Sequence, residues 1–141
     1  MNGKSHNKPL VILVVGLPGA GKSFFAKRFS ETFGAPVVSY DRIRFEINPE
    51  FEMSVEKEGA VHRLARYQIE ELLKTKRSII IDGGANTRAD RLTLTQLAKK
   101  AQYNSLVIWV QTDVATCQQR ALRRNPTRPD DRFNLSLSQE V

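Results

Sequence analysis

The sequence predicts an α/β fold in which a parallel sheet of about four strands is flanked by helices. Short runs of Val, Ile and Leu alternate along the chain with segments of helical periodicity. The runs are apolar on both faces, as strands buried inside a parallel sheet are. With 141 residues, 40% of them hydrophobic and 26% charged, the chain fits a single globular domain over 1–141.

The first strand is predicted at residues 10–15, after a polar terminus at 1–8 that we expect to be disordered. A glycine-rich turn at 16–21 leads into a helix over 22–33, and Gly34 follows as the predicted C-cap. The apolar residues of this helix recur at helical spacing and are expected to face the sheet: Phe25, Ala26, Phe29 and Phe33.

The rest of the chain repeats the alternation of strands and helices. The remaining strands are predicted at 37–39, 78–81 and 105–110, and the next helices at 41–47, 54–75 and 88–102. A further helix is predicted to follow an N-cap at Thr112 or Asp113. Predicted core residues on the helices at 54–75 and 88–102 are Val61, Leu64, Ala65, Ile69, Leu72, Leu94, Leu97, Ala98 and Ala101. Trp109, in the fourth strand, is also expected in the core. No fifth strand follows in the sequence, which indicates a domain truncated at its C-terminal end.

Residues 16–23, GLPGAGKS, match the phosphate-binding pattern G-x-x-x-x-G-K-[ST], with a buried strand before them and a helix after. Glycines let the backbone wrap around a phosphate, and the helix N-terminus adds partial positive charge. In this pattern Lys22 reaches the β- and γ-phosphates and Ser23 coordinates Mg²⁺. The predicted ATP-binding residues are Gly16, Leu17, Pro18, Gly19, Ala20, Gly21, Lys22, Ser23 and Phe24.

Two carboxylates follow strands whose carboxyl ends are expected to border one crevice. Asp82 ends an apolar strand in the Walker B pattern, which predicts a second Mg²⁺ ligand beside Ser23. Asp41 lies just past the second strand, where a carboxylate can accept the proton of an attacking hydroxyl. Arg44, one helical turn later, can hold an anionic group of the same acceptor. The alternative interpretation is that Asp41 caps a helix and Arg44 is a surface charge.

An arginine cluster occupies thirteen residues near the end of the chain: Arg120, Arg123, Arg124, Arg128 and Arg132. Arg120 and Arg124 are four residues apart and therefore share a helical face. Arginines on a lid over 112–132 would neutralise the transferring phosphoryl group and exclude water. The alternative is a solvated basic helix.

The net charge of +7 and the pI of about 9.9 favour a polyanionic partner, either nucleotide phosphates or nucleic acid. The alternative interpretation is that the charge only keeps the protein soluble. A single cysteine, Cys117, excludes an intramolecular disulfide framework. No apolar run approaches the roughly eighteen residues that cross a bilayer. We therefore expect a cytoplasmic protein that does not bind membranes; its oligomeric state is open.

The motifs together resemble the P-loop kinases related to polynucleotide kinase and zeta toxin, often grouped as an AAA domain ATP-binding family. The resemblance spans nearly the whole chain and rests on GLPGAGKS at 16–23, SYDRIR at 39–44, IIIDGGANTRADR at 79–91 and WVQTDVATCQQRALRRN at 109–125. It implies a P-loop NTPase fold, with ATP and Mg²⁺ as cofactors.

Site residues follow from the same resemblance. It implies that Asp41 is the base for the acceptor hydroxyl and that Arg44 contacts the acceptor. Asn86 is expected near the acceptor and Arg91 in a structural role. The lid residue Arg124 is expected to engage the ATP phosphates, with Arg120 close to the adenine or the phosphates.

The sequence thus predicts an ATP-dependent kinase that transfers the γ-phosphate to a hydroxyl acceptor. The acceptor is open between a polynucleotide 5′-hydroxyl, a sugar nucleotide and a small metabolite. One alternative is a small-metabolite kinase of the gluconate or shikimate type. The other is a nucleotide-binding module without transfer activity.

Overall fold

A computed structural model describes residues 7–17, 21–50 and 54–111. Its elements are β1 (Leu10–Val15), α1 (Lys22–Phe33), β2 (Val37–Ser39), α2 (Tyr40–Ile47), α3 (Val55–Leu73), β3 (Ile79–Asp82), α4 (Arg88–Lys100) and β4 (Asn104–Trp109). This order confirms the predicted α/β class, and every predicted boundary lies within two residues of the observed one. The predicted lid at 112–132 lies outside the described residues.

The strands form one parallel sheet in the order β2-β3-β1-β4. Asp82, the last residue of β3, stands opposite Val14 of β1 on one side and Ser39 of β2 on the other. The carboxyl ends of three strands therefore meet at one edge of the sheet, as the strand-end argument requires.

Alternate residues of the strands pack on opposite faces of the sheet. On one face Leu13 and Ile81 join the buried residues of α3 and α4, among them Val61, Ala65, Ile69, Leu94 and Ala98. On the other face Ile12 and Ile80 contact α1 through Ala26, with Phe25 and Phe29 partly buried beside it. The sheet thus separates α1 from the helices that cover its other face.

Three predicted core residues lie at the surface: Phe33 is 65% exposed, Leu64 45% and Trp109 55%. Phe33 ends α1 and covers Phe29, with the ring centroids 4.3 Å apart. Leu64 flanks the buried stripe of α3, in which core residues recur every four positions. Trp109 is the last residue of β4, which pairs with β1 at the edge of the described sheet. Periodicity predicts which face of a helix or strand is turned toward the core. How many residues of that face are buried depends on how far the sheet extends beneath or beside the element.

Gly34 caps α1 as predicted, in the left-handed conformation with φ of 65° and its N–H donating to the Ser30 carbonyl at 2.7 Å. None of the described helices combines the length and the apolar character that crossing a bilayer requires.

Candidate active site

The phosphate loop joins β1 to α1, as the motif predicts. Gly21 is the N-cap of α1 with φ of 98° and ψ of 18°, a left-handed conformation that favours glycine. The first hydrogen bond of the helix runs from the Phe25 N–H to the Gly21 carbonyl at 2.9 Å. The N–H groups of a helix's first turn lie outside its own ladder and can serve an anion. Pro18, Gly19 and Ala20 lie outside the described residues, whereas the exposed Leu17 and Phe24 flank the loop.

The two predicted metal ligands are brought into contact. Ser23 Oγ donates to Asp82 Oδ2 at 2.9 Å, and Asp82 is buried at the end of β3. Neighbouring oxygens around an octahedral Mg²⁺ stand about 2.9 Å apart, given metal–oxygen distances of about 2.0–2.1 Å. The pair therefore fits Mg²⁺, which usually binds one or two protein groups together with water and substrate phosphates.

Asp41 lies in the first turn of α2, but it does not cap the helix. The N-cap is Ser39, whose Oγ accepts a hydrogen bond from the Arg42 N–H at 3.2 Å. Asp41 instead accepts a hydrogen bond from Arg44 Nη1 at 2.7 Å, and both side chains are partly buried. The alternative of a capping aspartate beside a surface arginine is therefore wrong.

Glu58 of α3 holds the other edge of the Arg44 guanidinium. Arg44 Nε donates to the two Glu58 carboxylate oxygens at 3.0 and 3.1 Å, and Nη2 donates to Oε1 at 2.6 Å. An arginine has five N–H donors, so this arrangement leaves one on each terminal nitrogen. Arg44 is thus fixed between the two carboxylates of Asp41 and Glu58.

The protonation states follow from these contacts. Partial burial acts to lower the pKa of Arg44, but hydrogen bonding to Glu58 and the charge of Asp41 outweigh it and raise that pKa above its ordinary value. The hydrogen bond from Arg44 lowers the pKa of Glu58, against a smaller opposing effect of burial. Both partners are therefore charged at neutral pH.

Tyr40, next to Asp41, joins α2 to the loop that follows β3. Its ring lies so close to Gly84 that a Cβ there would stand 2.2 Å from Tyr40 Cζ, and Gly84 has φ of +71°. His62 of α3 meets the Tyr40 ring edge-on at 5.3 Å between centroids and lies 3.7 Å from Glu58. Burial raises the pKa of Tyr40, and the charge of Asp90 adds to the effect.

Glu58, Tyr40 and Gly84 were not predicted as site residues from the sequence. Glu58 is fourteen residues from Arg44 and on another helix, where no spacing rule applies. The two adjacent glycines, Gly83 and Gly84, are a turn signal that the sequence shows, and in the structure both have positive φ. The partner of Gly84 depends on how α2 packs, which the local sequence does not encode.

The remaining predicted residues lie away from these contacts. Asn86 is exposed in the loop after β3, and its carbonyl accepts a hydrogen bond from Arg91 Nη1 at 3.2 Å. Arg91 also donates to the Ala85 carbonyl at 3.0 Å and lies 5.3 Å from the centre of the Trp109 ring, consistent with a structural role. The predicted lid residues Arg120 and Arg124 lie outside the described part of the chain.

Known proteins resemble this chain in sequence and in fold. A family model described as an AAA domain matches residues 11–139. The L-seryl-tRNA(Sec) kinase of Methanococcus maripaludis is 28% identical over 127 residues, which are 86% of this chain and 49% of that protein. The shikimate kinase of Leptospira borgpetersenii is 37% identical over 82 residues, 55% of this chain and 46% of that protein. This chain therefore spans about half the length of these curated relatives.

A solved structure of the Pnkp1/Rnl/Hen1 RNA repair complex superposes with a TM-score of 0.73, covering 91% of this chain and 42% of that chain at 22% identity. This likeness confirms the predicted P-loop fold.

Proposed function

Because the chain belongs to the AAA domain family, and because its relatives include kinases, we propose that it is an ATP-dependent kinase with a hydroxyl acceptor. One observation carries the proposal. Asp82, which accepts a hydrogen bond from Ser23, stands in register between Val14 of β1 and Ser39 of β2. The phosphate loop begins at Gly16, two residues after Val14, and Asp41 lies two residues after Ser39. The phosphate loop, the candidate metal ligand Asp82 and the candidate base Asp41 thus lie at or just past the carboxyl ends of three neighbouring strands.

In the proposed reaction an acceptor oxygen forms a bond to the γ-phosphorus, and the bond from that phosphorus to the β,γ-bridging oxygen breaks to release ADP. Asp41 accepts the hydroxyl proton. Arg44 keeps Asp41 oriented, and Glu58 keeps Arg44 in place. When bound, Mg²⁺ neutralises charge on the β- and γ-phosphates.

The residues around the phosphates complete the proposal. Lys22 and the backbone of the loop bind the phosphates, while Ser23 and Asp82 hold the metal. Arg120 and Arg124 are proposed, from the family resemblance, to neutralise charge that develops on the transferred group. Asn86 is proposed to lie beside the acceptor.

The class of acceptor is supported at a coarse level by the names of the relatives. One relative acts on L-seryl-tRNA(Sec) and another on shikimate, so both a macromolecular and a small hydroxyl acceptor are compatible with this family. The proposal therefore covers a polynucleotide hydroxyl, a sugar nucleotide and a small metabolite. A cytoplasmic location, expected from the sequence, belongs to the same proposal.

The test is transfer of labelled phosphate from ATP to a panel of hydroxyl acceptors, with Asp41→Asn as the variant. We expect transfer to slow by about a hundredfold, the scale of a lost general base, with ATP affinity nearly unchanged. Glu46→Gln is the matched control, because Glu46 lies on the same helix in an exposed pair with Arg42.

Two results would contradict the proposal. An equal loss of ATP affinity and turnover in Asp41→Asn would assign Asp41 to the metal site. Tight ATP binding by the unaltered protein without transfer to any acceptor would favour the nucleotide-binding module.

A further inference from the structure

A groove runs between α3 and α4 on the face of the sheet that those two helices cover. It holds two cavities of about 360 and 270 Å³, and Glu70 lines both. We call it the α3–α4 groove and define it by Arg63, Arg66, Tyr67, Lys74, Lys76 and Lys100. The larger cavity is also lined by Tyr40 and Gly84, so the groove begins beside the candidate acceptor site and leads away from it.

Basic side chains predominate along the groove. Five line the two cavities, Arg63, Arg66, Lys74, Lys76 and Lys100, against the acidic Glu70 and Asp90. Arg66 lies 3.6 Å from Glu70, and Lys74 pairs with Glu71 at 2.7 Å. Arg63 and Lys100 form no ion pair with any residue in the described ranges. Lys76 Nζ donates to the Ala101 carbonyl at 2.7 Å. The groove is therefore lined by more basic than acidic side chains, and Arg63 and Lys100 are the two of its five cations without an acidic or carbonyl partner in the described ranges.

An aromatic ring accompanies these cations. Tyr67 lines the larger cavity, and 62% of its surface is exposed. Arg63 and Arg66 lie four residues and one residue before Tyr67 on the same helix. Alternating cations and aromatic faces are how proteins bind single strands, with cations on phosphates and rings stacked on bases.

The length of the groove also favours a strand. From His62 to Lys74 α3 advances by twelve residues, or about 18 Å at 1.5 Å per residue. A stacked strand rises by about 3.4 Å per nucleotide, so the groove spans about five nucleotides. A small metabolite would occupy only a part of it.

We propose that the α3–α4 groove binds a single strand of nucleic acid. With the proposed function, on which this part of the inference rests, a terminal hydroxyl of the strand is the phosphoryl acceptor. That end lies beside Tyr40 and Asp41, and the body of the strand follows α3. The terminal oxygen forms the bond to the γ-phosphorus, ADP leaves, and the proton passes to Asp41.

The test measures strand binding by fluorescence anisotropy without ATP, using 5′-hydroxyl single strands of two to eight nucleotides. The variant is Arg63→Ala with Arg66→Ala, and the charge-matched control is Lys27→Ala with Arg28→Ala on α1, across the sheet. We expect the groove variant to bind at least tenfold more weakly. We also expect its salt slope to fall by about 1.4, since each phosphate contact on a single strand contributes about 0.7. The control is expected to keep most of the affinity.

Variants of Tyr67 distinguish a nucleic-acid strand from other polyanions as the ligand of the groove. Tyr67→Ala is expected to weaken binding about tenfold, and Tyr67→Phe to retain it because the stacking face remains. Affinity is expected to rise with length up to about five nucleotides. A polyglutamate peptide of equal charge that binds as tightly, or a Tyr67→Ala variant that binds as well as the unaltered protein, would overturn the proposal. Circular dichroism of each variant confirms that it is folded.

The two proposals fail in different ways. The groove proposal fails if the groove variants bind strands like the unaltered protein, or if the control loses as much affinity as they do. Neither result excludes phosphoryl transfer to another acceptor. Strand binding that depends on the groove, without transfer of phosphate to any acceptor, supports the groove and overturns the kinase.

Discussion

Ser23, at the start of α1, donates a hydrogen bond to Asp82 at the end of the buried strand β3, whereas Asp41 is held by Arg44 and Glu58 on two partly exposed helices. On the nucleotide side, Asp82 is placed by the register of β3 between β1 and β2. The acceptor side is fixed by charge pairs, whose strength depends on ionisation and solvent. We therefore expect the candidate acceptor side to respond more strongly to electrostatic changes than the contact between Ser23 and Asp82.

The largest expected effect is on the nucleotide side. Lys22→Ala should weaken ATP binding by about a thousandfold, because losing one partner of a desolvated charge contact costs about 4 kcal/mol. Calorimetric titration with Mg²⁺ and ATP measures the loss. Lys27→Ala, farther along α1, is the control and should bind ATP normally. Unchanged ATP affinity in Lys22→Ala would mean that residues 16–23 form only a turn, and that they are not a nucleotide-binding site.

A smaller effect is expected where Tyr40 packs on Gly84. Gly84→Ala should lower the free energy of unfolding by about 2–4 kcal/mol, since it combines a left-handed backbone with a clash against the ring. Gly34→Ala is the control: its φ is +65°, and an added Cβ meets nothing within 4 Å, so we expect a loss of about 1 kcal/mol. Urea unfolding of both variants measures the difference. Equal losses would show that the Tyr40 ring moves aside, and that its packing on Gly84 adds nothing to the charge pairs that hold the acceptor side.

The smallest effect concerns the charge of Glu58. Because Arg44 lowers the pKa of Glu58 below 4.5, the pair stabilises the folded protein fully above that pH and loses this contribution as the pH falls through the lowered value. Glu58→Gln should cost less than about 1 kcal/mol at neutral pH, since the pair is partly exposed. Its stability should approach that of the unaltered protein in acid. A stability difference that does not vary with pH would contradict an acceptor side held by charge.

The nucleotide side was predictable because its information is local. The phosphate loop is eight contiguous residues, and Asp82 directly follows an apolar run. The order and type of the elements were predictable for the same reason, since buried strands and amphipathic helices each have a period that is visible in a short window.

The acceptor side was predictable only in part. Asp41 and Arg44 share one helical turn and were paired from spacing, but the role of Arg44 depends on Glu58, which the packing of α2 against α3 brings to it. Trp109 failed as a core prediction for a related reason. Its burial depends on what covers the edge of the sheet, and no periodicity within β4 contains that information.

The order of the strands has a consequence for the protein while it is being synthesised. Ser23 is synthesised 59 residues before Asp82. At about 5–20 residues per second, Asp82 therefore follows Ser23 by roughly 3–12 s. Over the same interval β1 has neither of its sheet neighbours, because β3 and β4 both follow later. A ribosome-bound chain that ends before residue 79 therefore carries the complete phosphate-loop sequence without Asp82, and its most apolar strand has no partner within the sheet. The contact between Ser23 and Asp82 and the pairing of β1 in the sheet therefore both wait for the part of the chain that begins at residue 79.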